Sequence, residues 1–173
     1  MELRTDKIRA CFDRKIGNFT ELWNLSTNTN YVRCAPRDPL IELYGLKNGE
    51  RVKLSGHISD VAEAPDALIL SYDSFGEYDI SAKVTCRCEQ DRLVFSAEIC
   101  NHSTIDVTEI LMPHLGGIYL GNGQKDYLIY PHHAGDKTED PVYNYAENRM
   151  TFWRGCSVPF EDIYRREINY CGL

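Results

Sequence analysis

The residues with the widest chemical reach in this sequence fall late in the chain, in turn-rich segments. His114, His132 and His133 follow apparent strand ends, where sandwich domains usually place binding groups. An imidazole can hydrogen-bond a sugar hydroxyl or pass a proton near neutral pH. His132 and His133 are neighbours, so on an extended chain they point to opposite faces and cannot easily ligate one metal together. Asp136, Glu139 and Asp140 lie close by. A glycosidase needs two carboxylates about 5 to 10 Å apart, but three acids in a polar loop more commonly serve only solvation. Tyr143, Tyr145, Phe152 and Trp153 add flat apolar rings that match the face of a pyranose, although core packing is the ordinary work of Phe152 and Trp153. The candidates for carbohydrate contact are therefore His114, His132, His133, Tyr143 and Trp153, and no residue is set apart for catalysis.

Other chemistry finds little support. Gly121-Asn122-Gly123-Gln124 is too short for a phosphate-binding loop and has no helix after it. Neither Gly-x-Ser-x-Gly, nor His-Glu-x-x-His, nor a nucleophilic Cys/His arrangement occurs. Seven cysteines, at 11, 34, 86, 88, 100, 156 and 171, include no Cys-x-x-Cys pair. Cys86 and Cys88 would share one face of a strand, which makes a poor zinc knuckle and suits small core residues. Buried free thiols are expected, and no metal or cofactor. Asn18, Asn24 and Asn101 each open an Asn-x-Ser/Thr triplet, a pattern that means little without a signal peptide.

The composition sets outer limits. At 173 residues the chain fits a single domain and can bury roughly 70% of the surface its unfolded form exposes. A hydrophobic content of 43% is ordinary for a globular domain. Nineteen basic against 26 acidic residues leave a formal charge of −7, whereas a nucleic-acid binder needs a basic face. Arg165-Arg166, the nearest approach to one, is flanked by Glu161, Asp162 and Glu167. Nucleic acid is not expected as a partner. Apolar stretches such as Ala67 to Leu70 are far too short to span a bilayer, so no membrane partner is expected. The opening Met1-Glu2-Leu3-Arg4-Thr5-Asp6 has no apolar signal region, which points to the cytoplasm unless an export signal has been removed.

The elements that must position these residues are strands. From Asp79 to Glu89, apolar Ile80, Ala82, Val84, Cys86 and Cys88 alternate with polar residues, which specifies a half-buried strand. Beyond a turn near Glu89-Gln90-Asp91, Leu93, Phe95, Ala97 and Ile99 repeat the alternation, and the two runs read as a hairpin. Asn101-His102-Ser103 leads to a third run, Ile105 to Met112, whose apolar parity slips near Thr108-Glu109, the mark of a bulge. The three are expected to form a meander. Leu3 to Phe12 and Phe19 to Leu25 flank a charged turn containing Gly17 and read as another hairpin. Leu40 to Tyr44, Arg51 to Leu54, Ile58 to Ala62 and Leu68 to Tyr72 follow as short strands, with brief ones at Ile118 to Leu120 and Tyr127 to Tyr130. Strands about ten residues apart without a long 3.6-residue pattern predict an all-β antiparallel β-sandwich. At most one short helix fits, Pro159 to Ile168, capped by Ser157 and with Phe160, Ile163, Tyr164 and Ile168 on one face. The chain stops at Leu173 without a polar tail, as expected of a cut through a larger fold.

Three stretches, in order, carry a further signal. Leu3 to Tyr31 runs as a variable strand, a Gly turn at Gly17-Asn18, and a phrase rich in Asn and Thr ending Asn24-Leu25-Ser26-Thr27-Asn28-Thr29-Asn30-Tyr31. Phe95 to Ile118 runs as a strand, an Asn turn at Asn101, a second strand, and Pro113 ahead of Gly116-Gly117. Tyr127 to Asp136 is an apolar strand leading into Pro131 and Gly135. Together, over residues 1 to 140, they resemble galactose-mutarotase-like supersandwich domains, which precede the catalytic barrel in a number of glycoside hydrolases. The resemblance implies an accessory domain whose loops help shape a sugar site, while a separate barrel holds the catalytic carboxylates. A full supersandwich is longer than this chain, which implies that residues 1–173 form one β-sandwich domain at the N-terminus of a larger protein. The family's mutarotases open the sugar ring with a His and a Glu. Neither position can be matched here, so no catalytic residue is carried over.

Four readings follow, the fourth being a purely structural interaction role. The first is an accessory, carbohydrate-associated domain of a glycoside hydrolase, not catalytic by itself, whose partners are an oligo- or polysaccharide and a C-terminal catalytic domain. The second is a free-standing carbohydrate-binding module. The third is a sugar mutarotase or epimerase using His114 or His132 as acid/base. Fold alone does not choose among them.

Overall fold

Alternation of apolar and polar side chains decides most of what forms. The computed structural model describes residues 1–32, 36 and 38–115, together with the strands at 127–130 and 136–139. The chain makes two compact units, Met1–Tyr119 and Leu120–Leu173. The first unit is an all-β, sandwich-like assembly of three antiparallel sheets. One sheet orders β1 (Glu2–Arg4), β2 (Ile8–Phe12), β3 (Phe19–Asn24) and β4 (Thr29–Asn30) as neighbours. A second contains β7 (Asp60–Glu63), β8 (Ala67–Tyr72), β9 (Ile80–Glu89) and β10 (Arg92–Asn101), and a third sets β5 (Glu42–Lys47) between β6 (Glu50–Leu54) and β11 (Asp106–Leu111). In the second unit β12 (Tyr127–Tyr130) pairs with β13 (Asp136–Glu139), with Tyr127 opposite Glu139. β13 lies in a stretch that reads as turn from sequence. No helix occurs among the described residues, and the segments read as a helix (Pro159 to Ile168) and as a strand (Ile118 to Leu120) lie outside them. No helix among the described residues is long and apolar enough to cross a membrane.

The alternation of β9 converts directly into burial: Ile80, Ala82, Val84 and Cys86 are all buried, and Cys88 on the same parity is half-buried. They meet Leu68, Leu70 and Tyr72 of β8, Leu3, Ala10, Phe12 and Phe19 of the first sheet, and Leu43 and Leu54 of the third in one core. Burial of that apolar surface is the main favourable term available to such a fold. The described cysteines are free. Burial pushes the Cys86 thiol up to about 12, which leaves it protonated and inert. Cys100 departs from the expectation of burial, because it shares the solvent-facing parity of β10 with Ser96 and Glu98.

Two expectations need correction. Leu3 to Phe12 is not one strand: the Thr5 hydroxyl accepts hydrogen bonds from the amides of Lys7 (3.2 Å) and Ile8 (3.1 Å), and this local turn splits the run into β1 and β2. The meander also fails. β9 and β10 form the expected hairpin, but β11 leaves that sheet and pairs with β5, Ile110 opposite Leu43. The turn that carries the chain across is built by Asn101, whose side-chain amide donates to the Ile105 carbonyl at 2.8 Å and whose Oδ1 accepts from the Ser103 amide at 3.0 Å. The register of β11 shifts between Val107 and Glu109, where the parity slip in the sequence places a bulge.

Gly45 shows how closely β5 and β11 approach. A Cβ there would stand 2.8 Å from the Asp106 carbonyl oxygen and 3.1 Å from Ile105. Gly45→Ala should therefore cost about 1–3 kcal/mol through overpacking, measured by urea unfolding. Wild-type stability in this variant would mean that β11 pairs elsewhere.

Candidate functional site

Where the first sheet faces the β9–β10 hairpin, a groove of about 410 Å³ opens. Phe19, Leu22, Leu93 and Phe95 supply its apolar lining, with Trp23 and Tyr31 alongside. Phe19 and Phe95 meet edge to face, with centroids 6.0 Å apart at 90°, a favoured aromatic arrangement. Phe19 also packs on Phe12 at 4.7 Å, so this part of the lining continues into the core. The polar lining is largely self-paired. Lys7 lies 3.5 Å from Asp91, Arg92 bonds Glu89 at 2.9 Å, and the Asn24 Oδ1 accepts from the amides of Ser26 and Thr27.

The Trp23 ring is oriented by a carboxylate. Its indole Nε1 donates to Glu21 Oε2 at 2.7 Å, and the same oxygen accepts from Arg9 Nη1 at 3.0 Å. Arg9 Nε in turn donates to Glu2 at 3.0 Å, so β1, β2 and β3 are tied across one face. Strand alternation sets this indole on the face of Glu21 and Arg9, opposite that of Leu22 and Ala10, so Trp23 borders the groove without turning its ring into it.

A second constellation holds one end of the groove in place. Asn18, completely buried, follows the Gly17 turn and directly precedes Phe19. Its amide nitrogen donates to the carbonyls of Asp38 (2.9 Å) and His114 (2.8 Å), and its oxygen accepts from the Phe19 amide (2.8 Å). The His114 amide donates to the Leu40 carbonyl at 2.8 Å. The chain on either side of this clamp, Phe19 and Leu115, lines the groove.

Beside it stands Glu42, only 3% exposed, with its carboxylate bound by the Lys53 ammonium and by the Tyr44 hydroxyl at 3.0 Å. His114 Nδ1 lies 3.4 Å from the same carboxylate, without hydrogen-bond geometry. Burial alone pushes the Glu42 carboxyl up, but Lys53, Tyr44 and His114 together outweigh it and hold the group below its ordinary range. Arg51 stacks over the Tyr44 ring at 3.6 Å and reaches Glu109, which extends the network along the outer face of the third sheet.

Of the residues nominated from sequence, His114 is described, and it belongs to this clamp and network rather than to the groove lining. His132, His133, Tyr143 and Trp153 lie outside the described residues, and of Asp136, Glu139 and Asp140 only the backbone of the first two is described. The sequence reading passed over Trp23 and Tyr31. The available signal was Trp23 itself, a large aromatic on the same strand parity as Glu21, where a solvent-facing polar residue is the ordinary choice. Asn18 opens a glycosylation triplet, yet its burial removes it from any such role. The described residues contain no cluster of three or more His, Cys, Asp or Glu side chains placed to hold a metal ion. No protein-family model matches this chain, and no curated protein matches it.

Two outcomes follow from the clamp and its neighbour. Asn18→Ala leaves two carbonyls and an amide unpaired and should cost about 2–4 kcal/mol, read by urea unfolding; a loss under about 0.5 kcal/mol would show that the clamp is dispensable. Because Glu42 is depressed in the folded state, its contribution is present above the unfolded value of 4.5 and is lost as pH falls through the folded value. Glu42→Gln should thus be about 1–3 kcal/mol less stable than wild type at pH 7, with the gap closing below pH ~4. A gap that stays constant from pH 7 to pH 3 would contradict this account.

Proposed function

We propose that this chain is a carbohydrate-associated β-sandwich domain, an accessory part of a glycoside hydrolase that contacts glycan and leaves bond cleavage to a separate C-terminal domain. The observation that carries the reading is the groove in which Tyr31 adjoins the apolar lining of Phe19, Leu22, Leu93 and Phe95, with charged residues among its walls. A pyranose has an apolar C–H face and hydroxyls around its edge, so it can stack on an aromatic ring while its edge meets polar groups. The volume of about 410 Å³ falls in the range of small-molecule sites. The resemblance to galactose-mutarotase-like supersandwich domains supplies the enzyme context, and the all-β fold agrees with it.

A non-catalytic role fits the groove better than a catalytic one. Among the described residues lining it, Asp91 is the one carboxylate, and it faces Lys7, whereas glycoside cleavage uses two carboxylates. A mutarotase-like reaction needs a His and a carboxylate free to exchange protons. His114 and Glu42 do adjoin, but Glu42 is engaged by Lys53 and Tyr44 and held ionised, and neither residue lines the groove. A free-standing binding module would use the same groove, and it differs from our reading in lacking a catalytic partner.

The test is a thermal-shift screen of soluble oligosaccharides, followed by titration of Trp23 fluorescence in a Trp153→Phe background, where Trp23 is the one indole left of two. A glycan that raises the melting temperature and perturbs Trp23 is expected. Tyr31→Ala should weaken binding at least about tenfold, equivalent to roughly 1.4 kcal/mol. A well-folded chain that binds nothing in the screen, or a Tyr31→Ala variant that binds as wild type, would overturn the assignment of the groove.

A further inference from the structure

A smaller cavity of about 220 Å³ shares no lining residue with the groove. Its polar walls are Lys15 from the β2–β3 turn, Asp38 ahead of β5, Lys53 and Ser55 at the end of β6, His57 just beyond, and Tyr72 at the end of β8. Tyr72 is 2% exposed, and its hydroxyl is shielded from solvent with no hydrogen-bond partner among the described residues. A hydroxyl left this way carries an uncompensated desolvation cost, so an unpaired one lining a cavity points to a molecule that pairs with it. Burial pushes Tyr72 up to about 12, so at neutral pH it keeps its proton and can donate.

The charges of the walls limit what that molecule can be. Lys15 and Lys53 supply two positive charges and Asp38 one negative, while Glu42 behind the wall pairs with Lys53 and restores the balance. An anion would gain from Lys15 and lose to Asp38, and a cation would meet the reverse. The ammoniums donate only and the carboxylate accepts only. A group that satisfies both at once must donate and accept, which is the property of a hydroxyl. The space is several times the ~30 Å³ that one water occupies in the liquid and falls short of the roughly 300 Å³ at which drug-sized sites begin.

We infer that this cavity is a second binding site, for a neutral polyhydroxylated ligand of about monosaccharide size, whose hydroxyls accept from Tyr72 and Lys15 and donate to Asp38. The site is independent of whether the groove binds glycan. The experiment uses the whole chain, titrated with free hexoses, with inositol and with inorganic phosphate, and followed by amide chemical shifts at Ser55, His57 and Tyr72. Saturable shifts with a hexose or inositol are expected, at a Kd on the order of millimolar, and none with phosphate. Tyr72→Phe keeps the ring and removes the donor; Lys15→Met alters an exposed turn position where folding is not at stake. Each should weaken binding at least tenfold, while Tyr31→Ala leaves it unchanged. Preferential binding of phosphate, equal binding by Tyr72→Phe and Lys15→Met, or no shift with any polyol would overturn the inference and leave Tyr72 paired with water. Loss of binding in Tyr31→Ala would instead assign the polyol to the groove.

Discussion

A single buried amide, the side chain of Asn18, holds together parts of the first unit that no strand ladder joins. Its two donors reach the carbonyls of Asp38 and His114, and its acceptor takes the amide of Phe19. The contact with His114 spans 96 residues of sequence. A buried polar group is expensive unless satisfied, so the amide tolerates few alternative arrangements of these three segments. An apolar side chain in its place could pack against many backbone conformations. The amide specifies one, and Phe19 and Leu115 take their places beside the groove as a result.

Glu42 works on the same region by a different route. Its β5 neighbour Leu43 faces the core, which places Glu42 on the opposite side of the sheet, where a carboxylate would ordinarily be solvated. Here Lys53, Tyr44 and His114 surround it, and the charge is retained because Lys53 stands against it. Burial and pairing oppose each other, and pairing wins because Lys53 keeps its head partly in water. His114 thereby acquires two tethers, a backbone held by Asn18 and Leu40 and a ring held against Glu42.

The strands were legible in the sequence wherever one face is buried, because period two converts directly into in and out. β8, β9 and β10 follow from that rule, as does the bulge in β11, since an extra residue must flip parity. Partnership was not legible. Alternation says which face of β11 is apolar but not which strand it lies beside, and a turn at Asn101 is compatible with a return to β10 as much as with the crossing to β5 that occurs. The split between β1 and β2 was hidden for another reason: Leu3, Ile8, Ala10 and Phe12 look like one run, and it is broken by a turn in which the Thr5 amide donates to the Ile8 carbonyl and the Thr5 hydroxyl accepts from Lys7 and Ile8. The groove was legible least of all. It joins Trp23 and Tyr31 to Leu93 and Phe95, some 70 residues away in sequence, and nothing local to either segment announces the other.

The orientation of Trp23 matters more than its presence. On β3 the indole shares a face with Glu21 and, across the ladder, with Arg9. Without Glu21 its Nε1 would seek water or a ligand, and the ring would rotate with it. Glu21 occupies the donor, and Arg9 holds Glu21 in place, with Glu2 behind. Exposed ion pairs of this kind contribute little to stability. What the ladder supplies is a fixed ring plane, set when the sheet folds, with the indole donor already taken and the ring on the face opposite Leu22 and Ala10.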